Sequence, residues 1–229
     1  QNWQHSQLGS YASAFSPDKR YVLVGDIDQP AKLWDIEAGK IRYSWQNQPG
    51  EAGTTTDVAF SPDGSIAATS ESATVVLWKM ADGKPVTRLQ FPVTVKDMAL
   101  SDNGEYILLA LQDRTAVYFD IRANQVRHIF EHDGKAVNSP VNTLINSVAI
   151  SPDGKLALTG GDDHTARLWS LETGEQLRQW VHGNDVSLVS FNPQGDFVIT
   201  SAGNDQTRLW ALPGGQQVAV LNTSPIPVD

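Results

Sequence analysis

The sequence predicts an all-β chain built from repeated four-stranded antiparallel sheets stacked side by side. Three observations carry this. A turn phrase recurs five times, as Ser16-Pro17-Asp18-Lys19, Ser61-Pro62-Asp63-Gly64, Ser101-Asp102-Asn103-Gly104, Ser151-Pro152-Asp153-Gly154 and Asn192-Pro193-Gln194-Gly195. A large aromatic follows each phrase by 17 or 18 residues: Trp34, Trp78, Phe119, Trp169 and Trp210. The aromatics are 44, 41, 50 and 41 residues apart, a period that belongs to blade-like β repeats.

One repeat shows how each element arises. Ser147-Val148-Ala149-Ile150 is short and β-branched, as a buried strand should be. Ser151-Pro152-Asp153-Gly154 then turns the chain: Pro presets the dihedral, Asp bonds to nearby backbone, and Gly tolerates the exit. Lys155–Gly160 reads as the second strand, Asp163-His164-Thr165 as a turn, Ala166–Ser170 as the third strand, and Gln176–Trp180 as the fourth after Glu172-Thr173-Gly174. The five repeats fall at about 11–45, 54–90, 94–130, 142–180 and 185–221, with 222–229 as a tail. Such meanders are apolar on both faces, so each needs a neighbour on each side.

Composition narrows the function. The 229 residues carry a formal net charge of −9, and the 17 Lys and Arg are scattered without a basic run. Phosphate neutralisation needs clustered positive charge, so no nucleic-acid partner is expected. No apolar run is long enough to span a bilayer, so no direct membrane insertion is expected. The absence of cysteine removes disulfides, thiolate metal sites and cysteine nucleophiles. Because residue 1 is Gln rather than Met, loss of a targeting segment is an expectation, and a periplasmic or envelope location is favoured over cytoplasm.

The third strands read Lys32-Leu33-Trp34-Asp35, Val76-Leu77-Trp78-Lys79, Val117-Tyr118-Phe119-Asp120, Leu168-Trp169-Ser170 and Arg208-Leu209-Trp210-Ala211. With the turn acid and Thr of Asp163-His164-Thr165 before them, they resemble the WD40 β-propeller family over residues 11–221, in a degenerate form whose turn phrases suggest a bacterial protein. The resemblance implies a ring of six to eight blades, most simply seven, of which five are visible and residues 1–4 are a stray outer strand of another. It also implies a buried relay of Asp, His, Ser or Thr, and Trp. His182, Thr200, Asn204 and Trp210 match it in the fifth repeat; Thr159, Asp163 and Trp169 match it in the fourth, where no His is evident. Asp28 and Asp113 match the turn acid, Ser72 does not, and Val24, Ala68 and Leu109 stand where the second-strand hydroxyl is expected. The first three repeats should therefore rest mainly on apolar packing.

Candidate chemistry is thin. His128-Ile129-Phe130-Glu131-His132 fits H-x-x-E-H, but positions four apart on a strand are separated by roughly 13 Å, too far for one zinc. His128 reads instead as a side chain between blades and His132 as a loop residue. Asp26 with Asp28, and Asp162 with Asp163, recur at one repeat position, as turn residues do. Trp45, Trp180 and Phe130, which end their fourth strands, read as packing residues rather than a ligand cage. No catalytic residue, metal set or cofactor is expected.

Surface remains. The connections Gln46–Thr55 and Glu131–Asn146 are the long ones, and fourth-to-first connections share one rim. A protein partner is therefore expected at Gln46, Asn47, Gln48, Glu51, His132, Asp133, Lys135, Asn138 and Asn142, which makes the chain a non-catalytic interaction scaffold. The alternatives are a small-ligand-binding or hydrolytic propeller using its central channel, against which the apolar first-strand residues Ala14, Val58, Ala59, Ala99, Val148 and Val189 speak, and a sensor domain of a larger multidomain protein.

Overall fold

A computed structural model describes residues 10–27, 29–47, 53–132, 144–203 and 207–221. They form twenty strands in five four-stranded antiparallel sheets and no helix. The first sheet is β1 (Ser10–Phe15), β2 (Tyr21–Asp26), β3 (Gln29–Asp35) and β4 (Lys40–Trp45). The second is β5 (Thr55–Phe60), β6 (Ile66–Glu71), β7 (Thr74–Lys79) and β8 (Pro85–Gln90). The third is β9 (Val95–Leu100), β10 (Tyr106–Leu111), β11 (Thr115–Asp120) and β12 (Gln125–Glu131). The fourth is β13 (Ile145–Ile150), β14 (Leu156–Gly161), β15 (Thr165–Ser170) and β16 (Gln176–Val181). The fifth is β17 (Val186–Phe191), β18 (Phe197–Ala202), β19 (Thr207–Ala211) and β20 (Gln217–Leu221). Strands follow chain order across every sheet, so each repeat is one meander.

The recurring turn works through its first side chain. Ser151 Oγ donates to Asp153 Oδ1 (2.6 Å) and accepts the Leu156 amide (2.9 Å). Ser61 does the same with Asp63 (2.6 Å) and Ile66 (3.0 Å). In the fifth sheet Asn192 replaces Ser, and its Oδ1 takes the Phe197 amide at 2.9 Å. The last residue of the phrase is left-handed, with φ of +69° at Gly154 and +59° at Lys19.

Packing divides the chain into two units, which are described separately. The first is Gln1–Gln112 with Val117–Arg127. In it β1 lies beside β5 and β5 beside β9. One core cluster joins Leu23, Leu33 and Trp45 to Ala67, Val76 and Trp78; another joins Val75, Leu77 and Leu89 to Leu109, Val117 and Phe119. The second unit is Asp113–Ala116 with His128–Asp229. Here β13 lies beside β17, and Leu158, Leu168 and Trp180 pack with Val189, Val198 and Trp210.

A stacking rule repeats in both units: the aromatic ending one sheet's outer strand covers the third-strand aromatic of the next. Ring centroids are 5.1 Å apart for Trp45 and Trp78, 5.1 Å for Phe130 and Trp169, and 5.3 Å for Trp180 and Trp210. Trp45 and Trp180 also donate Nε1–H to the carbonyls of Gly83 (3.0 Å) and Gly215 (2.9 Å) in the next sheet's last turn. The residue two before each aromatic, Tyr43, His128 or Arg178, lies against the left-handed glycine of that turn, Gly83, Gly174 or Gly215.

Candidate functional site

The polar side chains of the repeats converge on a buried relay, and the fourth sheet holds its fullest form. Trp169 Nε1 donates to Thr159 Oγ1 at 2.9 Å. Thr159 Oγ1 lies 2.8 Å from His132 Nε2, and His132 Nδ1 lies 2.9 Å from Asp163 Oδ1. A carboxylate can only accept, so Nδ1 carries a proton. Asp163 Oδ1 also accepts the Thr165 hydroxyl (2.7 Å) and amide (3.0 Å), and Oδ2 meets Arg167 Nη2 at 2.7 Å. All six side chains are buried. Burial alone would raise the Asp163 pKa; the His132 hydrogen bond and charge, the Thr165 hydroxyl and Arg167 outweigh it and hold the group at about 2.

His132 is the histidine that the fourth repeat was expected to lack. It follows β12 and reaches into the next repeat's sheet, so it is not the loop residue or partner contact expected from the sequence. Its solvent exposure is 0%. His128, the other histidine of the H-x-x-E-H pattern, packs against Gly174, so the two imidazoles are committed to different contacts. The zinc geometry is excluded by that divergence as well as by strand spacing.

Asn47 needs the same correction. Expected on the contact surface, it is 3% exposed and stands where His132 and His182 stand, two residues beyond the outer-strand aromatic. Thr69 Oγ1 donates to Asn47 Oδ1 (2.5 Å), Asn47 Nδ2 donates to the Thr69 carbonyl (3.2 Å), and Trp78 Nε1 donates to Thr69 Oγ1 (2.8 Å). The second repeat therefore keeps a hydroxyl, at Thr69 rather than at the expected Ala68. The misplacement has a structural cause. Glu71 pairs directly with Thr74, which leaves a two-residue turn, Ser72-Ala73, where the fourth sheet has three residues. Counting back from the turn then lands one residue early.

The third sheet keeps the turn acid, Asp113, and replaces the rest of the relay with apolar side chains. Leu109 takes the hydroxyl position, and Phe91 takes the histidine position and meets Phe119 edge-on at 6.3 Å. An apolar trio is stable where a half-satisfied polar network is not. In the first sheet Val24 packs with Val22 and Trp34. In the fifth, Trp210 donates to Thr200 at 2.8 Å and buried His182 stands edge-on to the Trp210 ring at 6.1 Å. Asp113 accepts the Thr115 amide and hydroxyl (3.2 and 2.6 Å) as a turn acid. Asp28 and Asn204 lie outside the described residues.

Of the remaining surface candidates, Gln46 is exposed at the end of β4. Gln48, Glu51, Asp133, Lys135, Asn138 and Asn142 lie outside the described residues.

A carboxyl pair is not evident from the repeats alone. Asp57 on β5 and Asp97 on β9 are hydrogen-bonded neighbours, and burial together with the Asp97 charge pushes Asp57 up to about 8. Asp57 Oδ1 accepts the Val58 amide (2.8 Å) and Oδ2 accepts the Met98 amide (2.9 Å), tying β5 to β9. Ser147 Oγ accepts the Val189 amide at 3.3 Å in the second unit, so the tie is a repeat feature. A signal for the pair does exist in the chain: both acids precede the same apolar-Ala dipeptide, Val58-Ala59 and Met98-Ala99.

The family model described as "WD domain, G-beta repeat" matches residues 44–79, 125–170 and 174–211, more than half of the chain. The chain belongs to the WD40 family. Its WD40 relatives include the protein named small ribosomal subunit protein RACK1y of Oryza sativa subsp. japonica, 26% identical over 160 residues, which cover 69% of this chain and 46% of the relative. A guanine nucleotide-binding protein subunit beta from the same plant is 28% identical over 188 residues, 75% of this chain and 47% of that protein. The serine-threonine kinase receptor-associated protein of Mus musculus is 22% identical over 168 residues, 71% of this chain and 43% of that protein. The chain spans about half the length of these relatives or less.

Proposed function

We propose that this WD40 chain is a non-catalytic scaffold that binds other protein subunits. The observation that carries the reading is where the recurring polar side chains go: Thr69, Asn47, Thr159, His132 and Asp163 bond one another inside the sheets. They hold neighbouring meanders together and leave recognition to the connections. Support also comes from the relatives, named as a ribosomal subunit protein, a G-protein subunit and a receptor-associated protein, each a component or companion of other proteins.

The contact surface in this reading is the sheet end that carries Gln46 and the connections from the fourth strands to the first, with Gln48, Glu51, Asp133, Lys135, Asn138 and Asn142 on them. Preordered blades would bind with little rearrangement. The meanders, apolar on both faces, would take their place in a ring of six to eight blades, most simply seven. The channel-enzyme reading finds its best candidate in Asp57 and Asp97, but both Asp57 oxygens are taken by backbone amides. A bacterial envelope setting draws no support from the relatives, which come from plants, a fungus and a mouse.

The test is purification of the protein with its associated subunits, in parallel with a variant carrying Gln46→Ala, Lys135→Ala, Asn138→Ala and Asn142→Ala. Loss of specific subunits from an otherwise folded variant is expected. An unchanged subunit set would remove the surface assignment, and a lone monomer with a turnover activity would overturn the scaffold reading.

A further inference from the structure

The end of the second unit that carries its β17–β18 and β19–β20 turns has a cleft of about 450 Å³ between the fourth and fifth sheets. That volume is in the lower part of the roughly 300–1,000 Å³ range of ligand pockets. Its walls are Leu156, Leu168, Leu177, Leu212 and Pro213. Leu177 is 39% exposed, and Arg178 stands at the mouth.

Folding does not require this lining. The first unit has the corresponding cleft between its first and second sheets, also about 450 Å³, and there charged side chains, Arg42, Asp63 and Lys79 among them, share the lining with Pro17, Tyr21 and Met80. Tyr21 holds the position of Leu156: each donates its amide to the turn serine at 2.9 Å. Arg42 holds the position of Leu177, the bulged residue three before the outer-strand aromatic. Arg42 bonds the Tyr21 hydroxyl and lies 4.9 Å over its ring, which fills the cleft from within. In the third sheet Arg127 occupies this position and pairs with Asp120 at 2.6 Å. Val86 in the second sheet and Val218 in the fifth are also apolar and exposed at this position. In the second unit's cleft Leu177 lies with Leu156 and Leu168, so its walls are aliphatic where the first unit's cleft has Tyr21 and Arg42.

Arg178 decides the chemistry of the occupant. Its guanidinium donates to the Leu177 carbonyl (2.8 Å) and the Pro213 carbonyl (3.5 Å) and meets no carboxylate among the described residues. A guanidinium with unused donors beside leucine walls is complementary to a carboxylate attached to an apolar group. Across the cleft, Gln194 Oε1 (3.1 Å) and Asp196 Oδ1 (2.6 Å) accept from Asn192 Nδ2, which leaves the second carboxylate oxygen of Asp196 as an acceptor for a backbone N–H of an extended chain. The net charge of −9 gives an acidic ligand no long-range attraction, so affinity must come from burial and from Arg178 at close range.

We propose that this cleft docks a short peptide segment with two adjacent large apolar side chains flanked by an acidic residue, the apolar pair filling the leucine walls and the carboxylate meeting Arg178. The proposal does not rest on the contact surface assigned above, because no residue of the cleft belongs to it.

The experiment titrates the whole chain into fluorescein-labelled hexapeptides and reads anisotropy. The panel has Asp-Glu before two positions varied among Leu, Ile, Met, Phe and Trp. One control exchanges the acids for Lys, and another exchanges the apolar pair for Ser. At least one acidic apolar peptide should bind about tenfold more tightly than both of its controls. Leu177→Asp should weaken it about tenfold, and Arg178→Glu should reverse the preference between acidic and Lys peptides. Both positions are exposed, and thermal unfolding checks that each variant is folded; should Leu177→Asp unfold, Arg178→Glu decides. Binding insensitive to both variants, equal binding of peptides and controls, or no binding at millimolar peptide would overturn the proposal. So would a sedimentation result in which the chain dimerises and Leu177→Asp dissolves the dimer, since the occupant would then be a second copy.

Discussion

His132 and Asp163 are 31 residues apart in the chain and their side chains meet at 2.9 Å, both fully buried. One closes an outer strand and the other opens the turn before the next sheet's third strand. The bond therefore fastens two successive repeats, which sheet hydrogen bonds alone do not do.

Breaking that fastening should be costly. Asp163→Asn removes the charge that Arg167 and His132 face, and breaking a buried pair typically costs about 3–5 kcal/mol. Thr159→Val leaves Trp169 Nε1 and one nitrogen of His132 without their partner, at about 1–3 kcal/mol. Urea unfolding of the two variants checks both figures and their order.

The same carboxylate sets an acid limit. Its folded pKa of about 2 lies below the unfolded value of about 3.9, so its contribution is complete above about pH 4 and is lost as pH falls through about 2. Unfolding midpoints between pH 5 and pH 2 should fall steeply in the parent and more gently in Asp163→Asn.

Asp57 acts with the opposite sign. Its folded pKa, about 8, exceeds the unfolded value, so the unfolded chain ionises first as pH rises. Stability from this group is full below about pH 4 and declines until about pH 8. Asp57→Asn keeps an oxygen to accept a backbone amide and cannot ionise beside Asp97. The variant should gain on the parent between pH 6 and pH 9, and a parallel pH dependence of the two unfolding midpoints would refute the raised Asp57 pKa.

The glycines of the turns separate backbone cost from steric cost. Gly154 has φ of +69° and open space where a methyl group would stand, so Gly154→Ala should cost only about 1–2 kcal/mol of left-handed strain. Gly174 has φ of +77° and a Cβ there would come within 2.6 Å of His128 Nδ1, so Gly174→Ala should cost more. Adding His128→Ala should recover the excess in a double-mutant cycle. Additive costs would show that the imidazole does not press on the turn.

The apolar third repeat should resist piecemeal restoration of polarity. Leu109→Thr places a hydroxyl beside Phe91 and Phe119, and burying an unpaired hydroxyl costs about 1–3 kcal/mol beyond the lost methyls. In the second repeat Thr69→Val should be comparably harmful for the reverse reason, since Asn47 and Trp78 lose their partner. Chemical denaturation of both variants tests the pair.

The sequence by itself determined the sheets, because turns and aromatics act locally. Ser151, Asp153 and Gly154 shape a turn with neighbours at most five residues away, and Trp169 marks the strand it sits on. The alternation of these marks is enough to read strands, their order within a sheet and the family. Tertiary structure decided whatever passes from one repeat to the next. His132 and Asn47 looked like loop residues because nothing local shows that the chain carries them back under a neighbouring sheet. Thr69 was misplaced because a turn shorter by one residue shifts the register invisibly. Asp57 and Asp97 become a pair only when β5 and β9 lie side by side. The leucines of the second unit's cleft acquire meaning only beside Arg42 and Tyr21, which fill the corresponding place in the first. Local dihedral preference writes the strands; lateral stacking brings distant side chains within bonding distance, and that distance is not encoded in any short stretch of chain.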